Sequence, residues 1–562
     1  MQPIIECVPN FSEGRDQGII RQITDAIESV EGVRLLHVDP GKATNRTVVT
    51  FVGDPSAVVD AAFLAIKKAG ELIDMSIHRG EHPRMGATDV CPLIPVSGIS
   101  MEETAQWAIL LAKRVGEELS LPVYLYEAAQ PNTRRKNLSV IRAGEYEGFF
   151  EKIKQAEWKP DFGPALFDAK RGATVIGARD FLVAYNVNLN TTSVRRANSI
   201  AFDVREAGRV KRQGDPLTGK IMKDDNGKPV NVPGTLKAVK AIGWYIEEYE
   251  MAQISMNLTN FNVTPMHIAF DEVCKKAEER GIRVTGSELV GLIPLQAMLD
   301  AGKYFLRKQK RSAGVSEKEL VRIAILSMGL DQLGPFRPEE RIIEYLLRKK
   351  SDQRLAGMTL SDFADETASE SAAPGGGSIA AYTGALGASL ATMVANLSSH
   401  KKGWDDRWAF FSEWAERGQQ LKEKLIRLTD EDTQAFNHIM TAMAMPKDSP
   451  DEKVARTSAV QAATKLAIEV PYQVLQTAFS SLEVIKTMAE HGNPNSISDA
   501  GVAALCARSA VMGAFLNMRI NATSYNDKNF VDALLDKGKE IENKAKELET
   551  AILKIVSDKI EA

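Results

Sequence analysis

Two histidines four residues apart frame the first stretch that could do chemistry: His78-Arg79-Gly80-Glu81-His82. The spacing satisfies H-x-x-E-H, a zinc-protease pattern. Zinc binding through that pattern needs a helix, because positions i and i+4 put both imidazoles on one face. Gly80 lies between the histidines, Pro83 follows directly and Gly86 comes three residues later, so the segment reads as a loop entering the strand Asp89–Val96. Three readings stay open: a zinc pair, two structurally bonded histidines, or one histidine working near neutral pH as general acid or base. His37 and Asp39 end another expected strand and would share a face. A carboxylate there could orient a catalytic base, or simply form the turn.

A second set of candidates lies late in the chain. Leu421, Leu425, Leu428, Ala435 and Ile439 form an apolar helical stripe, and Asp432 falls on it. Asp430 and Glu431 fall off it. An acid on an apolar face is costly unless paired or neutral. Burial raises a carboxyl pKa, which is what a proton donor at neutral pH requires, and a buried ion pair is the structural alternative. Upstream, Gly375, Gly376 and Gly377 precede a helix whose free backbone N–H groups could meet an anion. Asn517 and Asn521, one turn apart, could line a polar site or bond across helices.

These candidates need two kinds of scaffold. Up to about residue 325 strand patterns alternate with amphipathic helices, Arg15–Val30, Ser56–Ile73 and Glu102–Leu119 among them. The alternation predicts layered α/β structure, with a boundary near Asp180. A second round follows: strands at 173–189 and 253–264, and helices over Thr192–Ala207, Pro265–Gly281 and Leu295–Lys308. Gln213–Gly234, dense in Gly, Pro, Asp and Asn, predicts an exposed loop or hairpin. After a polar connector no strand pattern recurs, and long helices are expected over Ser378–Ser399, Trp408–Ala444, Pro450–Ala489, Ser498–Ile520 and Phe530–Ala562. The division is 1–180, 181–327, a linker at 328–350, and a helical bundle at 351–562.

Composition narrows the class. A length of 562 residues is too great for one core. A net charge of −4 gives no global reason to expect nucleic acid or an anionic membrane as partner. Cys7, Cys91, Cys274 and Cys506 form no C-x-x-C pair, which predicts neither a zinc knuckle nor a disulfide framework and fits a reducing cytoplasm. The N-terminal stretch has no basic n-region and no long apolar h-region, so no secretory signal is expected. Residues 378–400 carry no Asp, Glu, Lys or Arg, but their Ser, Thr, Tyr and Asn side chains argue for a buried bundle helix over a membrane span.

Several long motifs resemble known families. ECVPNFSEGR (6–15), HVDPG (37–41), NRTVVTFVG (45–53), HRGEHPRMGATDVCPLIPV (78–96), IRAGEYEG (141–148), WKPDFGP (158–164) and GSELVGLIPLQAMLDA (286–301) resemble the glutamate formimidoyltransferase family. ERIIEYL (340–346), SAAPGGGSIAA (371–381), LTDEDTQAF (428–436) and GNPNSISDAGVAA (492–504) resemble formimidoyltetrahydrofolate cyclodeaminase. In that order nearly the whole chain is similar to the bifunctional fusion of the two.

The resemblance implies two ferredoxin-like α/β sandwich subdomains followed by an all-α helical domain. It implies two steps of histidine breakdown, with polyglutamylated tetrahydrofolate as co-substrate and no metal. The formimidoyl group moves from N-formimidoyl-L-glutamate to N5 of tetrahydrofolate. The product then closes to 5,10-methenyltetrahydrofolate and loses ammonia. By motif, His82 matches the catalytic histidine, with Asp39 supporting its proton traffic. Gly163, Pro164, Ala165, Leu166, Phe167, Asp168, Ala169, Lys170, Arg171 and Gly172 match the folate-binding stretch. Asp432 matches the proton donor of the deaminase, with Gly375, Gly376 and Gly377 as a folate contact. The family forms a homo-oligomer, an octameric ring of dimers. The rival readings are a methenyltetrahydrofolate cyclohydrolase in the second half and a zinc hydrolase in the first.

Overall fold

The computed structural model describes residues 3–42, 44–80, 83–214, 218–347, 355–371 and 373–562. They fall into two compact units: 1–297 with 328–346, and 298–327 with 347–562.

The first unit is built on two sheets. In the first, β1 (Ile4–Cys7) and β2 (Asn10–Phe11) are two pieces of one central strand, both antiparallel to β4 (Arg46–Gly53) on one side and β5 (Thr88–Ser97) on the other. Outside β4 runs β3 (Val33–Gly41). Beyond β5 lie β7 (Thr174–Ala178) and then β6 (Val123–Glu127), both parallel to their neighbours. Strand alternation sends Ile5, Cys7, Phe51 and Leu93 into a core with helices α1 (Gln17–Glu28), α2 (Pro55–Leu72) and α3 (Met101–Glu118). The helix starts are written locally. Asp54 caps α2 ahead of Pro55, and Ser100 with Glu103 closes a capping box on α3. Two short helices follow β6, α4 (Leu138–Ile141) and α5 (Glu145–Lys152). The other sheet face is left for a cleft.

The strand expected at 173–189 is two strands. The first half, β7, completes the first sheet. The second half, β8 (Val183–Leu189), is central in the other. Both halves carry β-branched residues, Thr174, Val175 and Ile176 in one and Val183 and Val187 in the other, so only their pairing partners separate them. After α6 (Val194–Val204), the short pairs β9 (Arg209–Val210) with β12 (Asn231–Val232) and β10 (Arg212–Gln213) with β11 (Lys220–Ile221) form the expected exposed hairpin region. The second sheet is completed by β13 (Val239–Ile246), β14 (Met251–Leu258) and β15 (Val284–Val290), in the order β13-β14-β8-β15. Helix α7 (Met266–Glu278) packs on it; α8 (Leu295–Lys308) and α9 (Glu317–Met328) follow and belong almost wholly to the second unit, and α10 (Pro338–Arg341) and α11 (Ile343–Leu347) belong to the first.

The second unit is helical. It contains α12 (Leu360–Ala368), α13 (Gly376–Ser399), α14 (Trp408–Met443), α15 (Pro450–His491), α16 (Ile497–Ala522) and α17 (Lys528–Glu561). Ala381, Ala388 and Ala391 of α13 are fully buried, and small residues such as Gly384 let α14 and α16 approach closely. By length and composition alone, 376–399 and 494–522 could each cross a membrane, but most of the first and half of the second are buried inside the protein. Among the described residues no strand follows α11.

Candidate functional site

The open face of the first sheet lines a cavity of about 660 Å³ that also takes in residues of the second sheet. Alternation determines its floor. Pairing register sets Asp39, Val48, Asn10 and Val90 in one row, and His37, Thr50, Val8 and Pro92 in the next. All eight line the cavity. His37 and Asp39 thus share a face. Burial pushes the His37 imidazole below its ordinary pKa against the pull of Asp39, so at neutral pH the ring is uncharged.

A second charge cluster was not expected from the sequence. The β2–β5 register slips between Asn10 and Phe11, which pair with Val90 and Thr88. That bulge leaves Asp89 without a strand partner and turns it out of the alternation. Asp89 is fully buried and bridges Arg46 and Arg142, two arginines of the cleft. Its other oxygen accepts from the Met85 backbone N–H at 2.9 Å. Arg46 also donates through Nε to Asn10 Oδ1 at 3.0 Å. Arg179 and Lys240 add positive charge to the cleft. One carboxylate thereby orients two guanidinium groups toward a space that suits anionic ligands. A bulge at Asp89 has no sequence signature short of knowing the partner strand.

His82 lies outside the described residues, as does Glu81. Its neighbours are placed. His78 is buried, accepts at Nδ1 from Arg84 Nε (3.2 Å) and meets the Asn45 carbonyl through Nε2 at 2.9 Å. Since arginine can only donate, Nδ1 must be the acceptor and Nε2 carries the hydrogen. Burial lowers the His78 pKa, consistent with that neutral tautomer. Both ring nitrogens are therefore engaged, and 78–80 is not helical. The zinc reading of H-x-x-E-H is overturned: His78 is a structural histidine. Gly80 is pressed against the Thr44 carbonyl, where an added Cβ would come within 2.2 Å. Arg84 continues to Glu147 at 2.6 Å and lies over the Tyr146 ring.

The stretch from Gly163 to Gly172 packs beside this loop. Gly172 bridges to Gly86, and the Ala87 N–H donates to the Arg171 carbonyl at 2.8 Å. Arg171 is held by Asp168 at 2.6 Å and by the Leu119 carbonyl, and Phe167 stacks among Tyr146, Phe149 and Phe150. Leu166 is 71% exposed, so the stretch offers an apolar side chain to solvent. None of these residues lines the 660 Å³ cleft. Asp39 sits in the cleft, the 163–172 stretch sits beside Met85–Ala87, and Asp89 joins the two regions through Met85.

In the helical unit, Asp432, Thr433, Gly375, Gly376, Gly377, Asn517 and Asn521 line one small cavity of about 100 Å³. Asp432 sits over the start of α13. Its Oδ2 accepts from Ser378 Oγ at 3.1 Å, and the same hydroxyl meets Thr433 Oγ1 at 3.1 Å. Burial raises the Asp432 pKa, and the Ser378 side-chain and backbone donors pull the other way without cancelling it. A Cβ on Gly377 would lie 2.1 Å from Asp432 Oδ1, so the glycine run is what lets the carboxyl reach the helix end. Asp430 is off the apolar stripe yet buried, because it accepts from the Leu355 and Ala356 N–H groups at 2.8 and 3.3 Å. Asn521 has a traceable task. Pro471 inside α15 cannot donate to the Ala467 carbonyl, and Asn521 Nδ2 donates to it instead at 2.7 Å.

Such a chain, an α/β cleft lined with arginines and a helical cavity built on a half-buried acid, is a two-site enzyme. Comparison with known proteins specifies the class. Residues 4–179 match the formiminotransferase domain, N-terminal subdomain, 184–348 match the formiminotransferase domain, and 359–540 match formiminotransferase-cyclodeaminase. Formimidoyltransferase-cyclodeaminase of Sus scrofa is 44% identical over 94% of both chains. Glutamate formimidoyltransferase of Thermoplasma acidophilum is 46% identical over 54% of this chain and 92% of its own. Methenyltetrahydrofolate cyclohydrolase of Methylorubrum extorquens is 35% identical over 36% of this chain and 97% of its own. The chain is a bifunctional enzyme carrying a transferase and a cyclodeaminase region, and it belongs to the formimidoyltransferase-cyclodeaminase family.

Proposed function

We propose that the two regions catalyse consecutive steps on folate. The first transfers formimidoyl from N-formimidoyl-L-glutamate to N5 of tetrahydrofolate, in histidine breakdown. The second closes the product to 5,10-methenyltetrahydrofolate with loss of ammonia. The observation that carries the second step is Asp432, a carboxyl with a raised pKa held in a cavity at the start of α13. A protonated acid there can give its proton to the departing ammonia as N10 attacks the formimidoyl carbon. In the first step His82 takes the N5 proton as the amine attacks the amidine carbon, and a proton returns to the leaving glutamate nitrogen. Asp39 supports this from the cleft beside the neutral His37, and the 163–172 stretch next to the His82 loop holds folate.

The cyclohydrolase relative favours a second reading for the helical half, hydrolysis in place of deamination. The full-length bifunctional relatives weigh against it, since the transferase makes the deaminase's substrate. We assign the ranges 1–180, 181–327 and 351–562 to two ferredoxin-like subdomains and the cyclodeaminase, with 328–350 as linker. A homo-oligomer, read as an octamer, is supported by exposed apolar side chains Leu386, Met393 and Leu397 on α13 and Leu516 and Ile520 on α16. The cytoplasmic assignment is supported by the four cysteines standing as thiols.

The test mixes the full chain with formimidoylglutamate and tetrahydrofolate, following methenyltetrahydrofolate by absorbance and ammonia separately. Both products in equal amounts are expected. No ammonia in this mixture, together with consumption of methenyltetrahydrofolate supplied in a separate run, would turn the helical half into a hydrolase.

A further inference from the structure

Glu6 is a carboxyl group in the cleft with no task in the reading above. Strand β1 is central, so Glu6 sits between Val52 on β4 and Ile94 on β5, on the face that lines the cavity. Its residue exposure is 1%, and among the described residues its buried Oε2 has no hydrogen-bond partner. Burial of this kind pushes the carboxyl up to about 8, against the pull of Arg179 and with a push from Glu344. Lys240, Glu127, Asp180 and His37 line the same cleft, whereas the strand neighbours Val52 and Ile94 carry no charge. A buried oxygen with no partner in the fold calls for one from outside it, an ordered water or a ligand.

The ligand's chemistry can be read from the charges. Formimidoylglutamate carries carboxylates and an amidine. Amidines are strong bases, so at neutral pH the group is a planar cation with parallel N–H donors and no acceptor. A carboxylate presents two oxygens in the matching fork. The arginines of the cleft, Arg46, Arg142 and Arg179, match the substrate's carboxylates and would repel its cation. Asp39 is ionisable and solvent-exposed, a weaker partner because water competes.

We propose that Glu6 binds the formimidoyl amidinium of the transferase substrate and so determines its specificity. This inference rests on the 660 Å³ cleft being the transferase site. The balance is simple. The Glu6 carboxylic acid meets the amidinium, the carboxylate–amidinium pair forms, and one proton leaves to solvent.

Calorimetry tests it. Formimidoylglutamate alone is titrated into the full chain at pH 7 in buffers of different ionisation enthalpy. Wild type is expected to release close to one proton per substrate bound, and Glu6→Gln is expected to lose that release. In steady state, Glu6→Gln is expected to raise KM for formimidoylglutamate at least about tenfold. KM for tetrahydrofolate and cyclodeaminase turnover should not change. A merely structural Glu6 would leave proton release where it was, and that result overturns the inference. If Glu6→Gln does not fold, Glu6→Asp carries the test: it keeps the proton release and raises KM, and an unchanged KM overturns the proposal. Arg142→Met separates the two levels. If it stops transfer while Glu6→Gln is silent, the Glu6 inference alone falls. If neither variant affects transfer, the cleft reading falls with it.

Discussion

In the α/β half a buried acid, Glu6, is left with an oxygen that nothing among the described residues satisfies. In the helical half a half-buried acid, Asp432, is met by Ser378. Both carboxyls are raised by burial, but they are held by different means. The sheet gives Glu6 a fixed place and no donor, because strand backbone groups are used up in pairing. The helix gives Asp432 the Ser378 backbone N–H of its first turn, and Gly377 supplies the room that admits the carboxyl. An acid kept unpaired is suited to receive a cation. An acid kept hydrogen-bonded yet shifted toward its protonated form is suited to give up a proton.

The largest expected effect breaks the helical side of that comparison. Asp432→Asn keeps the hydrogen-bonding shape and removes the proton. Cyclodeaminase turnover is expected to fall roughly 10²–10⁴-fold. Transferase activity should be unchanged, so formimidoyltetrahydrofolate accumulates and ammonia does not appear. In wild type the cyclodeaminase rate should hold at low pH and decline as pH rises through the raised Asp432 pKa, because the donor form is lost. A rate that instead climbs with pH would assign the donor elsewhere.

Next is Asp89→Asn, which leaves Arg46 and Arg142 buried together without their counter-ion. Removing one partner of a buried charge network costs roughly 3–5 kcal/mol. Urea unfolding should show the loss in the α/β unit while the helical unit keeps its transition. An unchanged midpoint would mean that water already serves these arginines.

The contrast is also visible in pH-dependent stability. Glu6 is raised from 4.5 to about 8 in the folded protein, so the folded state holds its proton longer than the unfolded chain. Its contribution is full below about pH 4.5, drains across about 4.5 to 8, and is level above that. Glu6→Gln should flatten that slope, by a few kcal/mol on the order of 1.4 per pKa unit. Parallel slopes for the two proteins would show that Glu6 titrates normally.

Gly377→Ala places a methyl group 2.1 Å from Asp432 Oδ1. A stability loss of about 1–3 kcal/mol is expected from overpacking, with cyclodeaminase affected and the transferase spared. The smallest effect is expected from Asn521→Ala, about 1 kcal/mol, from the Ala467 carbonyl that Pro471 leaves orphaned. Pro471→Ala in the same chain restores the missing N–H and should recover most of it. Without that recovery, the Asn521 loss has another cause.

The helical site was largely legible. A 3.6-residue period put Asp432 on the apolar stripe before any partner was known, and the glycine run marked the start of α13. What it could not show was that the glycines serve Asp432, since the two are 55 residues apart. Asp430 also escaped, because its burial depends on backbone donors at 355 and 356 and not on its own helix. In the α/β half, the shared face of His37 and Asp39 was legible from a two-residue period. Asp89, Arg46, Arg142 and Glu6 were not, because each takes its meaning from an adjacent strand.

Sequence alone determined what depends on short range: the alternation of elements, the loop character of 78–80 and 83–86, and the apolar stripe that carries Asp432. Tertiary structure alone decided what depends on register and burial. A bulge turned Asp89 onto two arginines, the bond from Arg84 made His78 structural, and pairing on both sides buried Glu6. Periodicity is written into a chain residue by residue, whereas desolvation and ion pairing exist only once distant segments have met.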